Sequence, residues 1–237
     1  MEIFRYSEWI HIPAAKYIYR VVHRIMEGDC QYDHGPRPVE VPELWVSKYP
    51  VTNAQFKEFL DATGYQPDDS HNFLKHWENG SYPKGQANFP VVWVCQNDAK
   101  AYAKWKNARL LHDYEWQYIA AGPKKRLYPW GDMLDKTKCN YSNSLQAVDA
   151  YPEGASPFGV MDMCSNAWEW TQDVIDDGMH LFTLLRGGSY FRPTHFWHTD
   201  NGPCRTNQFL KFQLLNDGQN RCGTTSFRIA KEHSCNS

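Results

Sequence analysis

The sequence lacks long apolar runs, basic blocks and tandem repeats. A membrane-spanning helix needs about 18 or more consecutive apolar residues, and no run of that length occurs. The formal net charge is −2 and no basic patch is present, which argues against nucleic acid and anionic membranes as partners. Because the first residues also lack the basic and then apolar layout of a signal peptide, we expect a soluble, cytoplasmic protein.

Cysteine is too sparse for a disulfide framework, since seven cysteines are scattered over 237 residues. Aromatic residues, by contrast, make up 15% of the chain, and hydrophobic residues make up 42%. That content supports one substantial core in which large rings do much of the packing. We therefore predict a single domain over residues 1–237.

Three amphipathic segments are predicted as helices. The first begins at a Thr52-Asn53 cap, continues to Thr63 and stops at Gly64. The second is capped by Asn97 and continues to about residue 106, and the third spans Asp113 to Ala121.

The remaining sequence predicts short strands joined by long loops. Apolar runs indicate strands at 9–13, 17–22, 44–47 and 90–94, with a polar loop over 28–38. The segment 192–225 has no clear period and is predicted as an ordered, functional loop. These elements together indicate an α+β protein with short antiparallel strands, a few helices and high loop content.

One predicted strand contains a glycine pair. The run from Leu184 to Phe191 reads as a strand that is interrupted by Gly187-Gly188. Adjacent glycines inside a strand indicate a bulge or a close approach of another backbone, and we expect one of the two here.

The stretch from Ser156 to Asp173 predicts a core hairpin. Val160 and Met161 would begin one strand, and the strand from Ala167 to Thr171 would follow a turn. Alternation places Trp168 and Trp170 on one face and Glu169 on the other, so we expect Glu169 to point away from the core. The turn would then bring Asp162, Glu169 and turn carbonyls together, which is the ligand set of a hard cation.

Several motifs in this sequence resemble those of the formylglycine-generating enzyme family, also called the sulfatase-modifying-factor family. The central motif is Gly-Val-Met-Asp-Met-Cys-Ser-Asn-Ala-Trp-Glu-Trp-Thr-Gln-Asp, which ends at Asp173. Four further blocks occur in the family's order and extend the resemblance over about residues 40–230: Pro50 to Phe56, Tyr128 to Asp132, Leu185 to Tyr190 and Ser226 to Arg228. The resemblance implies a fold related to C-type lectins, with little regular structure.

The resemblance also implies a departure from the family's known chemistry. Its founding members oxidise a cysteine of sulfatases with oxygen and a copper ion, which is held by two cysteines at the third and eighth positions after the Arg-Gly-Gly-Ser block. Here these positions hold Arg192 and Trp197. Neither side chain can replace a thiolate as a ligand of cuprous copper. We therefore expect no formylglycine formation by the copper route.

Calcium is the cofactor that the resemblance implies at the central motif. Asp162 and Glu169 would supply carboxylates, and Ser165 and Ala167 would supply carbonyls. In the alternative interpretation, Asp162 caps the turn while Glu169 pairs with a lysine or arginine. The oxygen-bearing residues Asn140 and Tyr141 offer a second, weaker candidate cation site.

The sequence is compatible with three functional hypotheses. The first is a diverged, metal-associated oxidative or modifying enzyme that acts through the 190–225 loop with an unidentified redox metal and uses Cys204, Cys222, His195 and His198. The second is an inert lectin-like module that binds a small molecule or a peptide through Tyr190, Arg192 and Trp197. The third is a subunit or fragment of an iron enzyme of the sulfoxide-synthase type that a partner subunit completes.

Two further expectations concern single side chains. The 18-residue spacing of Cys204 and Cys222 is compatible with a loop-closing disulfide, with a two-thiolate metal site that includes His195 or His198, or with unpaired thiols. Arg186 and Arg228 belong to the matching blocks, and we expect both to be structural because a guanidinium can tie several loop carbonyls together.

Overall fold

The computed structural model describes residues 8–27, 30–176, 178–192, 202–214 and 220–232, and within residues 23–34 only the backbone. The described chain forms three α-helices: α1 (Asn53–Thr63), α2 (Gln96–Trp105) and α3 (Asp113–Ala121). Its strands are β1 (Trp9–Ile12), β2 (Ala15–Glu27), β3 (Cys30–Val41), β4 (Leu44–Ser47), β5 (Arg109–Leu110), β6 (Trp168–Asp176), β7 (Leu181–Arg186), β8 (Gln208–Leu214), β9 (Thr225–Ser226) and β10 (Ile229–Glu232).

The strands form two sheets. One sheet has the order β1-β4-β10-β5 and is antiparallel throughout. The other has the order β3-β2-β8-β7-β6-β9, in which β2 and β8 and also β6 and β9 pair in parallel. The predicted α+β class with few helices is confirmed, but the six-stranded sheet is mixed rather than purely antiparallel.

The predicted loop over 28–38 is wrong in most of its length, because β2 and β3 form a long antiparallel hairpin. β3 is the edge strand of its sheet, where polar side chains and prolines such as Pro36 and Pro38 are tolerated. Its sequence is therefore polar and does not show the pattern of a strand. β8 likewise lies inside the segment predicted as a loop. Residues 160 and 161 form no strand, and neither does the predicted run over 90–94.

The helix boundaries follow their capping residues. Thr52 Oγ1 accepts from the Gln55 amide at 3.3 Å, and Gln55 Oε1 accepts from the Thr52 amide at 2.9 Å, which forms a capping box. Gly64 ends α1 with a φ of 63°, as its sequence position predicts. α2 begins one residue before its predicted cap, and α3 has its predicted bounds. Within the described ranges, no helix has the length and apolar character needed to cross a membrane.

The start of α3 is hydrogen-bonded to Asp173 of β6. His112 Nδ1 lies 2.8 Å from Asp173 Oδ1, and the Asp113 amide donates to Asp173 Oδ2 at 2.6 Å. The hydrogen bond to Asp173 raises the pKa of His112. Burial opposes ionisation of Asp173, but the bonds from His112 and the Asp113 amide outweigh it and lower the pKa of that carboxyl. The pair therefore orients the helix that carries Asp113, Glu115 and Trp116 into the core.

Because of the pair of His112 and Asp173, we expect the unfolding free energy to depend on pH. The contribution of His112 is fully present below its unfolded pKa of 6.5 and is lost as the pH rises through its raised folded pKa. The contribution of Asp173 is present above its unfolded pKa of 3.8 and is lost as the pH falls through its lowered folded pKa. We expect His112→Gln to lower the unfolding free energy more at about pH 5.5 than at about pH 8.5, as measured by urea denaturation.

The matched control is His11→Gln, which removes a histidine that is paired with Glu43 at 2.7 Å with both side chains 49% exposed. An exposed pair contributes little, so we expect a small effect at either pH. Equal losses for His112→Gln at both pH values would contradict the assignment.

Candidate functional site

The motif around residues 161–169 lies where the two sheets meet. β6 pairs with β7 on one side and with β9 on the other, and Glu169 is in register with Arg186 and Ser226. Because neighbours flank this strand on both edges and packing covers both faces, Trp168 and Trp170 are buried and so is Glu169, at 2% exposure.

The prediction that Glu169 points away from the core is therefore wrong. Its Oε1 and Oε2 accept from Arg228 Nη2 at 2.6 Å and Nε at 2.7 Å, and Oε2 also accepts from Trp116 Nε1 at 2.7 Å. Alternation alone assumes one solvent-facing side, whereas a central strand in this fold has none. The alternative interpretation, in which Glu169 pairs with an arginine, describes the observed contacts.

Residues 161–167, here called the signature loop, turn through three left-handed backbone positions. The φ values of Asp162, Ser165 and Asn166 are 59°, 72° and 61°. Such positions are uncommon for residues other than glycine and concentrate at functional turns. The backbone of Ser165 is held by its amide, which donates to the Gly187 carbonyl at 2.7 Å.

Asn166 joins the signature loop to residues 139–146, here called the 140 loop. Its Nδ2 donates to Asp162 Oδ2 at 2.7 Å and to the Gln146 carbonyl at 3.1 Å. Its Oδ1 accepts from Asn140 Nδ2 at 2.9 Å and from the Gln146 amide at 3.0 Å. Sequence reasoning missed this residue, although an asparagine beside two tryptophans in a core motif signals an amide buried for its hydrogen bonds.

The signature loop contains one carboxyl, that of Asp162. Burial raises its pKa well above the usual range, while Asn166 and Arg228 partly counteract the shift. The carbonyls of Ser165 and Ala167 lie in the same turn. This donor set fits calcium through Asp162 and the turn carbonyls, whereas Glu169 already shares both its oxygens with Arg228 and Trp116. Calcium binding stays a prediction.

Asn140 and Tyr141, the second candidate cation site, have protein partners. Asn140 Nδ2 donates to the Ser144 carbonyl at 2.9 Å as well as to Asn166, and its Oδ1 accepts from the Ser142 amide at 3.0 Å. The ring of Tyr141 lies under Lys136, at 4.4 Å, and under Arg192, at 4.1 Å. These contacts order the two residues within the loop, and cation binding here stays a prediction.

The predicted close backbone approach at Gly187-Gly188 is confirmed. Both glycines have positive φ, at 89° and 88°. A Cβ on Gly188 would lie 2.4 Å from the Gly202 carbonyl oxygen, so only glycine fits. β7 consequently ends at Arg186, and the chain after the glycines passes over the 140 loop.

Arg192 lies beside the 140 loop, and Tyr190, two residues before it, contacts other segments; the sequence predicted a binding surface at these residues. The Tyr190 hydroxyl donates to the Gly223 carbonyl at 3.4 Å. Arg192 Nη2 donates to the Ser142 carbonyl at 3.1 Å and to Asn143 Oδ1 at 2.7 Å. Phe191, between them, is 58% exposed. The third predicted binding residue, Trp197, lies outside the described residues.

Two of the four predicted catalytic residues, Cys204 and Cys222, lie within the described chain, and they have different neighbours. Cys204 is buried against the Gly188 turn and its thiol lies 3.7 Å from Gln208 Oε1. The Cys222 sulfur instead lies 3.3 Å from Thr224 Oγ1 and 3.0 Å from Thr225 Oγ1. The structure contains no disulfide between them, so the predicted loop-closing bond is not present. His195 and His198 lie outside the described residues.

Two cysteines that sequence reasoning did not select lie closer to the site. Cys139 opens the 140 loop and donates to the Asp135 carbonyl at 3.7 Å, while Cys164 lies in the signature loop and donates to the Cys204 carbonyl at 3.6 Å. The neighbouring Cys164 thiol lowers the pKa of Cys139 more than burial raises it, and Arg192 adds to the lowering. Burial raises the pKa of Cys164 well above its usual range. In the part of the chain that the structure describes, no group of three or more His, Cys, Asp or Glu side chains is arranged to hold a metal ion.

Two buried arginines hold the frame of the site. Arg186 pairs with Asp113 and donates through Nη1 to the carbonyls of Thr206, at 3.0 Å, and Gln208, at 2.8 Å. Arg228 pairs with Glu169 and donates to the Met161 carbonyl at 3.0 Å. Both side chains are at most 1% exposed, so the geometry agrees with a structural role.

Comparison with known families identifies one match over nearly the whole chain. Residues 4–232 match the sulfatase-modifying factor enzyme 1-like domain. The solved structure of CarF superposes with a TM-score of 0.66 at 15% identity and covers 95% of this chain and 98% of its own. At that identity the likeness shows the fold alone.

Two relatives illustrate the range of proteins that carry this domain. The serine/threonine-protein kinase Pkn1 of Chlamydia trachomatis is 35% identical over 158 residues, which cover 62% of this chain and 25% of Pkn1. The inactive C-alpha-formylglycine-generating enzyme 2 of Mus musculus is 26% identical over 231 residues, which cover 76% of this chain and 73% of the mouse protein. The chain thus spans about a quarter of the first relative and most of the second.

The contacts of the buried Arg186 predict how much its removal lowers the unfolding free energy. Arg186→Ala leaves Asp113 buried without its cation and removes the guanidinium donor from the carbonyls of Thr206 and Gln208, so we expect a loss of about 3–5 kcal/mol in unfolding free energy. Urea denaturation measures it. Arg37→Ala, which removes an exposed arginine stacked 4.8 Å above Tyr19, serves as the control and should cost little. A stable Arg186→Ala protein that had lost only ligand binding would contradict the structural role.

Proposed function

Because this chain belongs to the sulfatase-modifying factor enzyme 1-like family, we propose that it uses the family's fold to bind an acidic small molecule or peptide. The binding surface consists of Tyr190, Phe191 and Arg192 together with the adjoining 140 loop. The proposal excludes formylglycine production by the copper route.

One observation carries this proposal: the way in which Arg192 is held. This arginine stands at the position of the first copper cysteine in the pattern that the sequence resembles. Its guanidinium stacks 4.1 Å from the centre of the Tyr141 ring, and one nitrogen, Nη2, donates to both Ser142 and Asn143. The side chain is therefore pre-oriented as a planar cation.

The remaining donors of Arg192 explain the expected ligand class. Among the described residues, neither Nε nor Nη1 of Arg192 has a hydrogen-bond partner. A guanidinium that is already fixed in one orientation loses little entropy when it binds a carboxylate with two parallel hydrogen bonds. The exposed Phe191 ring beside it offers apolar area for the rest of the ligand. A carboxylate-bearing ligand with an apolar part fits both features.

The relatives are compatible with a non-catalytic role. The mouse relative is named an inactive formylglycine-generating enzyme, and the Chlamydia relative carries the similar segment as a minor part of a longer protein named a kinase. The diverged enzyme that uses Cys204, Cys222, His195 and His198 stays a separate prediction, as does completion by a partner subunit. No described contact links Cys204 to Cys222 in the way that the first of these requires.

Calcium is proposed as a structural cofactor of the signature loop. When bound, the ion would supply positive charge beside Asp162 and tie its carboxylate to the carbonyls of Ser165 and Ala167. Asn166 would continue to orient Asp162 through its Nδ2. The ion would therefore hold the signature loop against the 140 loop and so support the surface that carries Arg192.

The calcium proposal predicts a difference between two proteins. Calcium should raise the Tm of the wild type relative to chelator, because a ligand that binds only the native state stabilises it by mass action. Asp162→Asn, which removes the charge and keeps the shape, should largely lose this response. Scanning calorimetry with and without chelator measures both. An unchanged wild-type melting curve would refute the calcium site.

The ligand proposal is tested with a defined probe set: immobilised peptides that contain an aromatic residue and differ only in their number of Asp and Glu residues. We expect the wild type to retain the acidic members. Arg192→Ala should weaken that binding by about tenfold or more, since a hydrogen bond to a charged group contributes about 1.5–3 kcal/mol. Arg192→Lys should recover only part of it, because an ammonium lacks the planar fork.

Arg37→Ala is the matched control for this experiment, since Arg37 also stacks on a tyrosine but lies on the edge strand β3. Binding that is equal in Arg192→Ala and the wild type would overturn the proposed surface. Conversion of a cysteine-containing sulfatase peptide to formylglycine by the copper-loaded protein would overturn the non-copper assignment.

A further inference from the structure

Two buried thiols face each other beneath the proposed ligand surface. Cys139 and Cys164 are 2% and 3% exposed and pack with Tyr128 in a small cluster of their own. They are separated by 25 positions in the chain and belong to two different loops. Neither thiol is needed for the ligand surface proposed above, so a role for this pair is independent of that function.

The backbone brings the two cysteines next to each other. Asn140 and Ser165 form an isolated parallel β-bridge, and Ser165 Oγ donates to the Asn140 carbonyl. Cys139 and Cys164 are the residues directly before these two. Paired strands lie about 4.8 Å apart, and disulfides need Cα atoms about 4.4–6.8 Å apart, so residues adjacent to such a bridge are suitably placed for a disulfide.

Each thiol also has a backbone partner of its own. Cys139 Sγ donates to the Asp135 carbonyl at 3.7 Å, and Cys164 Sγ donates to the Cys204 carbonyl at 3.6 Å. Close packing keeps the loops in place, since a Cβ on Gly154 would lie 2.0 Å from the Lys138 carbonyl oxygen. The backbone directly before Cys139 is therefore closely packed on Gly154.

Both cysteines line a narrow recess, together with Lys138, Tyr151 and Asp162. The recess has no space for a water molecule, so a small reagent reaches the sulfurs only when the side chains around it move. Tyr151 and Lys138 are both half-buried. A small disulfide with a carboxylate would meet the Lys138 ammonium at its rim.

We propose that Cys139 and Cys164 are a redox-active pair that a low-molecular-weight disulfide converts to an intramolecular disulfide. One thiolate attacks a sulfur of the small disulfide, forms a mixed disulfide and releases one small thiolate. The second cysteine gives up its proton and attacks the first cysteine's sulfur, which releases the second small thiol. The two cysteines together lose two electrons and two protons, and the small disulfide is reduced to two thiols.

The disulfide would restrict the movement of the loops that form the site. It would close the 25-residue segment between the two loops and fix the 140 loop on the signature loop. The 140 loop carries Tyr141, Ser142 and Asn143, which hold Arg192. Oxidation would therefore rigidify the platform beneath that arginine.

The test uses the full chain equilibrated with oxidised or reduced glutathione, quenched in acid and alkylated in denaturant. Trypsin leaves both cysteines on one peptide, since no lysine or arginine lies between Lys138 and Arg186. Cleavage at Glu153, the only glutamate between the cysteines, separates them. After oxidation, we expect the tryptic peptide to lose both alkyl labels and the two halves to stay joined until reduction.

Matched variants distinguish this pair from general thiol oxidation. Cys95→Ser removes a buried cysteine elsewhere and should leave the linked product unchanged. Cys139→Ser and Cys164→Ser should each abolish it, and at least one should retain glutathione as a mixed disulfide on the remaining cysteine. Oxidation should raise the wild-type Tm by roughly 6–12 °C and leave both single variants unchanged.

Two outcomes would overturn the proposal. The first is a folded wild-type protein whose two thiols stay alkylatable after equilibration with oxidised glutathione. The second is a crosslink from either cysteine to another partner such as Cys204 in place of the expected one. If one serine variant fails to fold, the other and the wild-type peptide analysis still decide between these results.

Discussion

The buried pair of Glu169 and Arg228 is the interaction on which the rest of this structure depends. Arg228 lies between β9 of the six-stranded sheet and β10 of the four-stranded sheet. Its guanidinium satisfies Glu169 and the Met161 carbonyl, and Nη1 reaches the carbonyls of Ser47 and Lys48 at 3.3 and 3.5 Å. Desolvating two charges is costly, and it is tolerated where hydrogen bonds satisfy all their donors and acceptors. One side chain thus joins both sheets and the signature loop.

A fold with little regular structure needs such ties. Long loops have many backbone polar groups that no helix or sheet satisfies, and each buried one must find a partner. Arginine with five donors and asparagine with both donor and acceptor serve this purpose here. Arg186 ties β7 to Asp113 of α3 and to the segment before β8, while Asn166 ties the signature loop to the 140 loop. Rigid loops of this kind can hold Arg192 and the two thiols in defined positions.

The same frame explains how the domain can change function while keeping its fold. The contacts of Arg186, Arg228 and Glu169 lie within the core, whereas Arg192 and Phe191 lie on a segment that crosses the surface. Substitution at a surface position such as 191 or 192 therefore changes the chemistry of the surface without removing a core contact. Fold and function are separable here because different residues carry them.

Local signals in the sequence determined the helices, the family and the glycine turn. Capping residues and the 3.6-residue period act within a few positions, so Thr52 and Gly64 bound their helix as expected. The family followed from ordered blocks, and the small net charge followed from counting. Gly187-Gly188 signalled a close backbone approach because only glycine permits it.

Tertiary structure alone decided the burial of Glu169, the strands β3 and β8, and the pairing of cysteines. Period-2 alternation separates two faces but does not say whether either face meets water, and β6 is covered on both. An edge strand such as β3 needs no continuous apolar face, so its sequence carries no alternating pattern. Cys139 and Cys164 lie 25 positions apart, and only the register of Asn140 with Ser165 brings them together. Contacts between distant segments depend on how the whole chain packs, which no local pattern encodes.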